Sequence, residues 1–161
     1  MTINYAVSDP GDVWRLAEDL RIKAKNDPDF DFTDDYFQLY AEDFSYYAHR
    51  ALSIKTTTNG MPTFRFHRAQ WYIHACIEHQ RMTTGKVRVI VVKGRQQGLS
   101  TYSEGRGYWK ASQEIGCNTV ILTHEDKATN NLFDMAKRYH DYCPPELQPA
   151  TGKFNGKTIE F

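Results

Sequence analysis

Residues 89–102, VIVVKGRQQGLSTY, gather the most distinctive chemistry of the chain into one short stretch. A β-branched, apolar run leads into a turn containing Gly94 and Gly98, and a helix is expected to open at Ser100 and Thr101. A helix that starts straight after such a turn aims its free N–H groups and its positive end at one point, where a phosphate is stabilised. The backbone of Gly94, Gln96, Gln97, Gly98 and Leu99 would form the cradle. The Ser100 hydroxyl is placed to hold Mg²⁺, and Thr101 to reach the α-phosphate side of a nucleotide.

The usual phosphate-loop pattern, G-x-x-x-x-G-K-[ST], is broken twice when laid on Gly98 and Ser100. Lys93 stands at the first glycine, and Leu99 stands at the lysine. Phosphoryl transfer needs a cation near the β- and γ-phosphates. A lysine on a long flexible stem can supply it from the front of the loop. Lys93 is therefore the expected catalytic cation, with Arg95 as its substitute or neighbour. An ordinary strand-turn-helix corner with surface cations has the same local look.

Two flanking segments bear on the choice. Upstream, FRFHRAQW (64–71) places aromatic residues and Gln70 about 23 residues before Lys93. A glutamine amide can donate and accept at once, as an adenine edge requires. The alternative is a helix start with a solvated glutamine. Downstream, NTVILTHEDKATNNLF (118–133) reads as a short strand ending at Thr123 and His124, then a helix. Polar residues at a strand's carboxyl end would line a ligand crevice. Thr129, Asn130 and Asn131 could face nucleic acid, or simply solvent.

The elements that must position these residues follow from periodicity. Helices are expected over 9–25, about 33–52, about 67–83, 100–115 and 126–142. The second carries Tyr36, Phe37, Tyr40, Phe44 and Tyr47 at near-helical spacing, a stripe that suits a core better than a stacking platform. KTTTNGMP (55–62) reads as a linker. Lys86–Val92 and Asn118–Thr123 read as buried strands, and Lys157–Phe161 as the start of another. Strands alternating with helices imply an α/β fold with a parallel sheet. A helical segment over 1–60 would precede an incomplete α/β domain over 61–161.

Bulk properties narrow the classes. The 161 residues suffice for a sizeable core, and their 40% apolar and 25% charged content is that of a soluble globular chain. No apolar run approaches the roughly 20 residues of a membrane span, and no signal-peptide layout opens the chain, so the cytoplasm is the expected compartment. A net charge of zero hides an asymmetry. Residues 1–60 hold 11 acidic against 6 basic residues, a net of −5, and the remainder is +5. Cys76, Cys117 and Cys143 lack paired spacing and are expected to be buried free thiols. The six histidines form no HExxH, and no GxSxG occurs.

Taken together, His67-x-x-Gln70, the apolar run, KGRQQGLST (93–101) and THEDKATNNLF (123–133) resemble phage terminase large subunits, the ATPases that drive DNA into procapsids. The resemblance covers roughly Phe64–Phe161. That family uses phosphate loops in which a basic residue at the front replaces the usual lysine, which accounts for Lys93 and Leu99 together. It implies an incomplete P-loop NTPase fold of the RecA-like kind, with ATP and Mg²⁺ as cofactors and an adenine contact at Gln70. Its implied partners are double-stranded DNA, a portal protein, a small terminase subunit and further copies in a ring. No apolar strand ending in Asp-Glu and no acidic nuclease cluster follows within the 161 residues, so slow hydrolysis is expected of this chain alone. A helicase-like ATPase and a non-catalytic interaction protein with a degenerate loop remain alternatives.

Overall fold

In the computed structural model, residues 10–27, 33–56, 60–155 and 158–161 are described. Asp9 and much of the acidic turn before Thr33 fall outside them, as do residues 57–59 of the linker and residues 156–157. Six helices follow in order among the described residues: α1 (Pro10–Asn26), α2 (Thr33–Glu42), α3 (Phe44–Ala51), α4 (Arg68–Thr84), α5 (Leu99–Gln113) and α6 (Asp126–Asp141). Two short strands, β1 (Phe154–Asn155) and β2 (Thr158–Ile159), close the chain.

The single helix expected over 33–52 is two helices, and the cause is Asp43. Its carboxylate accepts from the Tyr46 N–H at 2.7 Å and from Ser45 Oγ at 2.6 Å. An aspartate that binds nearby backbone offers the chain a fresh N-cap, and α3 restarts there. The restart turns the aromatic stripe inward. Phe44, Tyr46 and Tyr47 are fully buried, whereas Phe37 stays half exposed.

Phe44 is the hub of the core. Its ring lies 5.3–5.6 Å from those of Phe66, Tyr102 and Trp109, in the tilted or edge-on arrangements that aromatic quadrupoles favour. Helix α5 passes close over this cluster because Gly105 has no side chain. A Cβ there would meet Leu52, Phe44 and Phe64 at 3.1–3.4 Å. The Trp109 indole N–H donates to the Tyr40 carbonyl at 2.7 Å, tying α5 to α2. On the other side α5 packs on α6, and the Tyr139 hydroxyl donates to the Thr101 carbonyl at 3.1 Å.

The parallel α/β sheet expected from the sequence is not formed, so the P-loop NTPase architecture is corrected to a mainly helical one. The described residues are mostly helix, and their one ladder is the antiparallel pairing of Phe154 with Ile159 and Asn155 with Thr158. Residues 87–93 and 118–123 make no backbone–backbone hydrogen bond. Both expected strands are also open to solvent. Ile90 and Val92 are each 96% exposed, and Val120 and Leu122 are exposed as well. Exposure along 89–92 alternates with the period of two that an extended chain imposes, so only one face meets the helices. A strand needs a neighbour to satisfy its N–H and C=O groups, and here neither segment has one.

Cysteine burial also departs from expectation. Cys143 is buried, Cys117 half-buried and Cys76 exposed. No described helix is long and apolar enough to cross a membrane.

Candidate functional site

The loop after residue 92 is shaped by two left-handed residues, Gln96 (φ +58°) and Gly98 (φ +61°). Gly98 is the N-cap of α5, and no side chain caps that helix. The first intrahelical bond runs from the Tyr102 N–H to the Gly98 carbonyl at 3.1 Å. The N–H groups of Leu99, Ser100 and Thr101 therefore have no partner within the helix, as at any helix start. Ser100 is exposed, Thr101 half-buried and Leu99 nearly buried, holding the first turn down.

The loop is fastened from behind by the N-terminus of α4. His67 caps that helix: its Nδ1 accepts from the Ala69 N–H at 3.2 Å, while Gln70 Oε1 accepts from the His67 N–H at 3.1 Å. With Nδ1 accepting, Nε2 carries the proton and donates to the Gln97 carbonyl at 3.2 Å. Gln70 Nε2 donates to the Gly98 carbonyl at 2.8 Å. Nothing larger than glycine fits at 98. A Cβ would stand 2.9 Å from Gln70 Nε2 and 3.1 Å from His67 Nε2, on a backbone already in the left-handed region.

Gln70 thus has a defined place. It is 2% exposed, with both ends of its amide bonded to backbone. An adenine edge would reach it only by displacing the bonds that hold Gly98.

A polar chain continues inward from this anchor. His74 Nδ1 lies 3.1 Å from the Tyr102 hydroxyl, with the imidazole fully buried. Burial is the main cause that pulls the His74 pKa down and pushes Tyr102 up to about 12. One turn on, Glu78 receives Arg106 at 2.7 Å and Arg81 at 2.6 Å. Burial alone would raise the Glu78 pKa, but Arg106 and then Arg81 outweigh it and hold the carboxyl below its usual range. This ion cluster fixes α4 against α5 and so fixes the two helix starts that carry the loop.

Lys93 and Ser100 come together on the wall of one cavity of about 350 Å³, whose other walls include Val89, Val91, Glu104 and Ile121. Neither Lys93 nor Arg95 makes an ion pair among the described residues. Gly94, Arg95, Gln96 and Gln97 are exposed around the rim of the loop. Thr123 and His124 do not line this cavity. Thr123 Oγ1 instead bonds the Glu125 carbonyl at 2.8 Å and Thr129 Oγ1 at 2.6 Å, a local start for α6. Asn130 and Asn131 are exposed.

Neither a family model nor a curated protein matches the chain. The site rests on its own geometry.

Two features of that geometry were not read from the sequence. One is the fastening role of His67 and Gln70, although His67-x-x-Gln70 has the spacing of a capping box with histidine as cap. The other is Glu104, buried on α5 with its Oε2 unpartnered. Nothing local marks it, since one turn of helix separates it from the exposed Ser100. Among the described residues no group of three or more His, Cys, Asp or Glu side chains is arranged to hold a metal. At the helix start the exposed side-chain oxygen is the Ser100 hydroxyl.

Proposed function

We propose that this chain is the ATP-binding part of a terminase large subunit, whose ATP turnover in the intact enzyme moves double-stranded viral DNA into a procapsid. The observation that carries the reading is the uncapped start of α5. Three N–H groups, from Leu99 to Thr101, stand without helical acceptors, and Lys93 shares a cavity wall with Leu99 and Ser100. The helix dipole and these donors favour an anion there, Lys93 adds to it, and Arg95 on the exposed loop is its assigned neighbour. Lys93, sharing a cavity wall with Ser100, is the residue assigned to the β- and γ-phosphates. Ser100 would hold Mg²⁺ through its hydroxyl, Thr101 would reach the α-phosphate side, and Gly94 to Leu99 would enclose the anion. Gln70 serves this site by holding the Gly98 carbonyl.

The resemblance supplies the rest of the reading: a portal protein and small terminase subunit as partners, and a ring of copies in the host cytoplasm. ATP turnover by these 161 residues alone should be slow, because no apolar strand ending in Asp-Glu lies among them to position the attacking water.

Mg-ATP binding followed by calorimetry tests the assignment. Lys93→Ala should weaken binding by at least about tenfold, in line with loss of a charge-assisted contact. Lys86→Ala, at the other end of the same segment, should change it little. Equal affinities for the two variants would remove Lys93 from its role, and brisk steady-state turnover by the wild-type chain would contradict the expectation of slow hydrolysis.

A further inference from the structure

Glu104 is a carboxyl group in the wrong place for a helix with nothing to bind. It is 5% exposed, and its Oε2 has no hydrogen-bond partner. No cation among the described residues lies within ion-pair distance, and burial alone raises its pKa, to about 7. Buried carboxyls are ordinarily paired, because an unpartnered one has lost its hydration with nothing to replace it.

The surroundings say what is missing. Glu104 lies where two cavities meet, one of about 350 Å³ and one of about 370 Å³. Both also touch Ile121 and Leu132, and the first is walled by Val89 and Val91. The wall they share is aliphatic, and the second cavity adds the rings of Tyr108, Phe133 and Phe161. The ionisable side chains around the carboxyl are Lys93 across the first cavity, Tyr102 and Tyr108 on its own helix, and Tyr139 on α6. Along both flanks the backbone of 87–93 and 118–123 makes no bond to other backbone, and in 87–93 only the Arg88 N–H is held, by Gln80 Oε1 at 2.7 Å. A free small amine would satisfy the carboxyl and leave that backbone bare, whereas a peptide satisfies both.

We propose that the second cavity, which Lys93 and Ser100 do not line, receives an extended peptide segment, bonded through its backbone to residues 118–123, that places an arginine or lysine side chain against Glu104. The aliphatic stem of such a residue suits the walls and its charged head suits the carboxylate. Main-chain bonds would give affinity and the Glu104 pocket would give specificity, the division of labour in strand-addition recognition.

The probes are two capped pentapeptides, acetyl-Thr-Val-Arg-Val-Thr-amide and its glutamine counterpart, and free n-butylguanidinium. Calorimetry of the whole chain should show the arginine peptide binding at least about tenfold more tightly than the glutamine peptide. Glu104→Gln should erase that difference, in a variant whose helical circular dichroism matches wild type. Changing the peptide rather than the protein keeps the comparison valid even if the variant folds poorly. Equal binding of the two peptides, or no peptide binding at all, would overturn the proposal. Binding of n-butylguanidinium with no binding of the arginine peptide would overturn the peptide as its source.

Discussion

The cluster around Phe44 and the segment 87–93 have similar apolar content and opposite fates. In the first, Phe44, Tyr47 and Tyr102 are almost wholly buried on helices that satisfy their own backbone, and the buried Phe64 donates its N–H to the Leu52 carbonyl at 2.8 Å. In the second, Ile90 and Val92 are almost wholly exposed, and the backbone has no backbone partner, its one bond being that of the Arg88 N–H to Gln80 Oε1 at 2.7 Å. Hydrophobic content therefore does not decide burial here. An amphipathic helix needs only a surface to lie on, whereas a strand needs both a surface and a hydrogen-bonded neighbour. The largest test of the contrast is a pair of truncations. Phe44→Ala should cost about 3–5 kcal/mol of stability in urea unfolding, since it opens a cavity at the hub of the rings. Ile90→Ala should fall within about 0.5 kcal/mol of wild type. A comparable loss in both would mean that the exposed segment is packed in solution.

Glu104 stands on the border between these two regions, and its titration sharpens the comparison. Its pKa is raised from 4.5 to about 7 by burial. The folded state thus holds a proton that the unfolded state releases between those values. The resulting contribution to stability is complete below pH 4.5 and is lost as the pH rises through about 7. Glu104→Gln removes that dependence. Relative to wild type, the variant should gain on the order of 2–3 kcal/mol between pH 4.5 and pH 8, read from urea midpoints across the range. Parallel pH profiles for the two proteins would show that Glu104 is solvated.

The helices were legible because their signals are local. Gly85, in the left-handed conformation, ends α4 as its position suggests, and the apolar spacing of α6 places Ala136 and Tyr139 inward. The break at Asp43 was written in Asp43-Phe44-Ser45-Tyr46, an N-cap inside an aromatic run, but the stripe through Tyr40, Phe44 and Tyr47 masked it. The expected strands show the limit of the same reasoning. β-Branched residues between glycines do favour extension, and Val89 and Val91 do turn one face to the helices. Whether an extended segment joins a sheet depends on residues far away in sequence, which no local pattern reports. At the site, the turn from Gly94 to Gly98 and the helix start at Leu99 were legible within a residue or so. The fastening by His67 and Gln70 was not, because it joins backbone and side chains 28 to 30 residues apart.

The smallest expected effect on stability carries the most information about the bare segments. Unpaired edges with exposed β-branched residues are templates for association, and natural edges are usually blunted by charge. Lys86 and Arg88 blunt the start of this one, and nothing comparable interrupts residues 89–92. The wild-type chain should therefore self-associate in sedimentation velocity as its concentration is raised. Replacing both outward residues, Ile90→Lys with Val92→Lys, should keep stability within about 0.5 kcal/mol, because neither side chain is packed. The same variant should shift the sedimentation profile toward monomer. If the wild type stays monomeric at every concentration reached, the exposed edge is not acting as a template. If the double variant loses stability instead, Ile90 and Val92 are covered in solution and the contrast with Phe44 disappears.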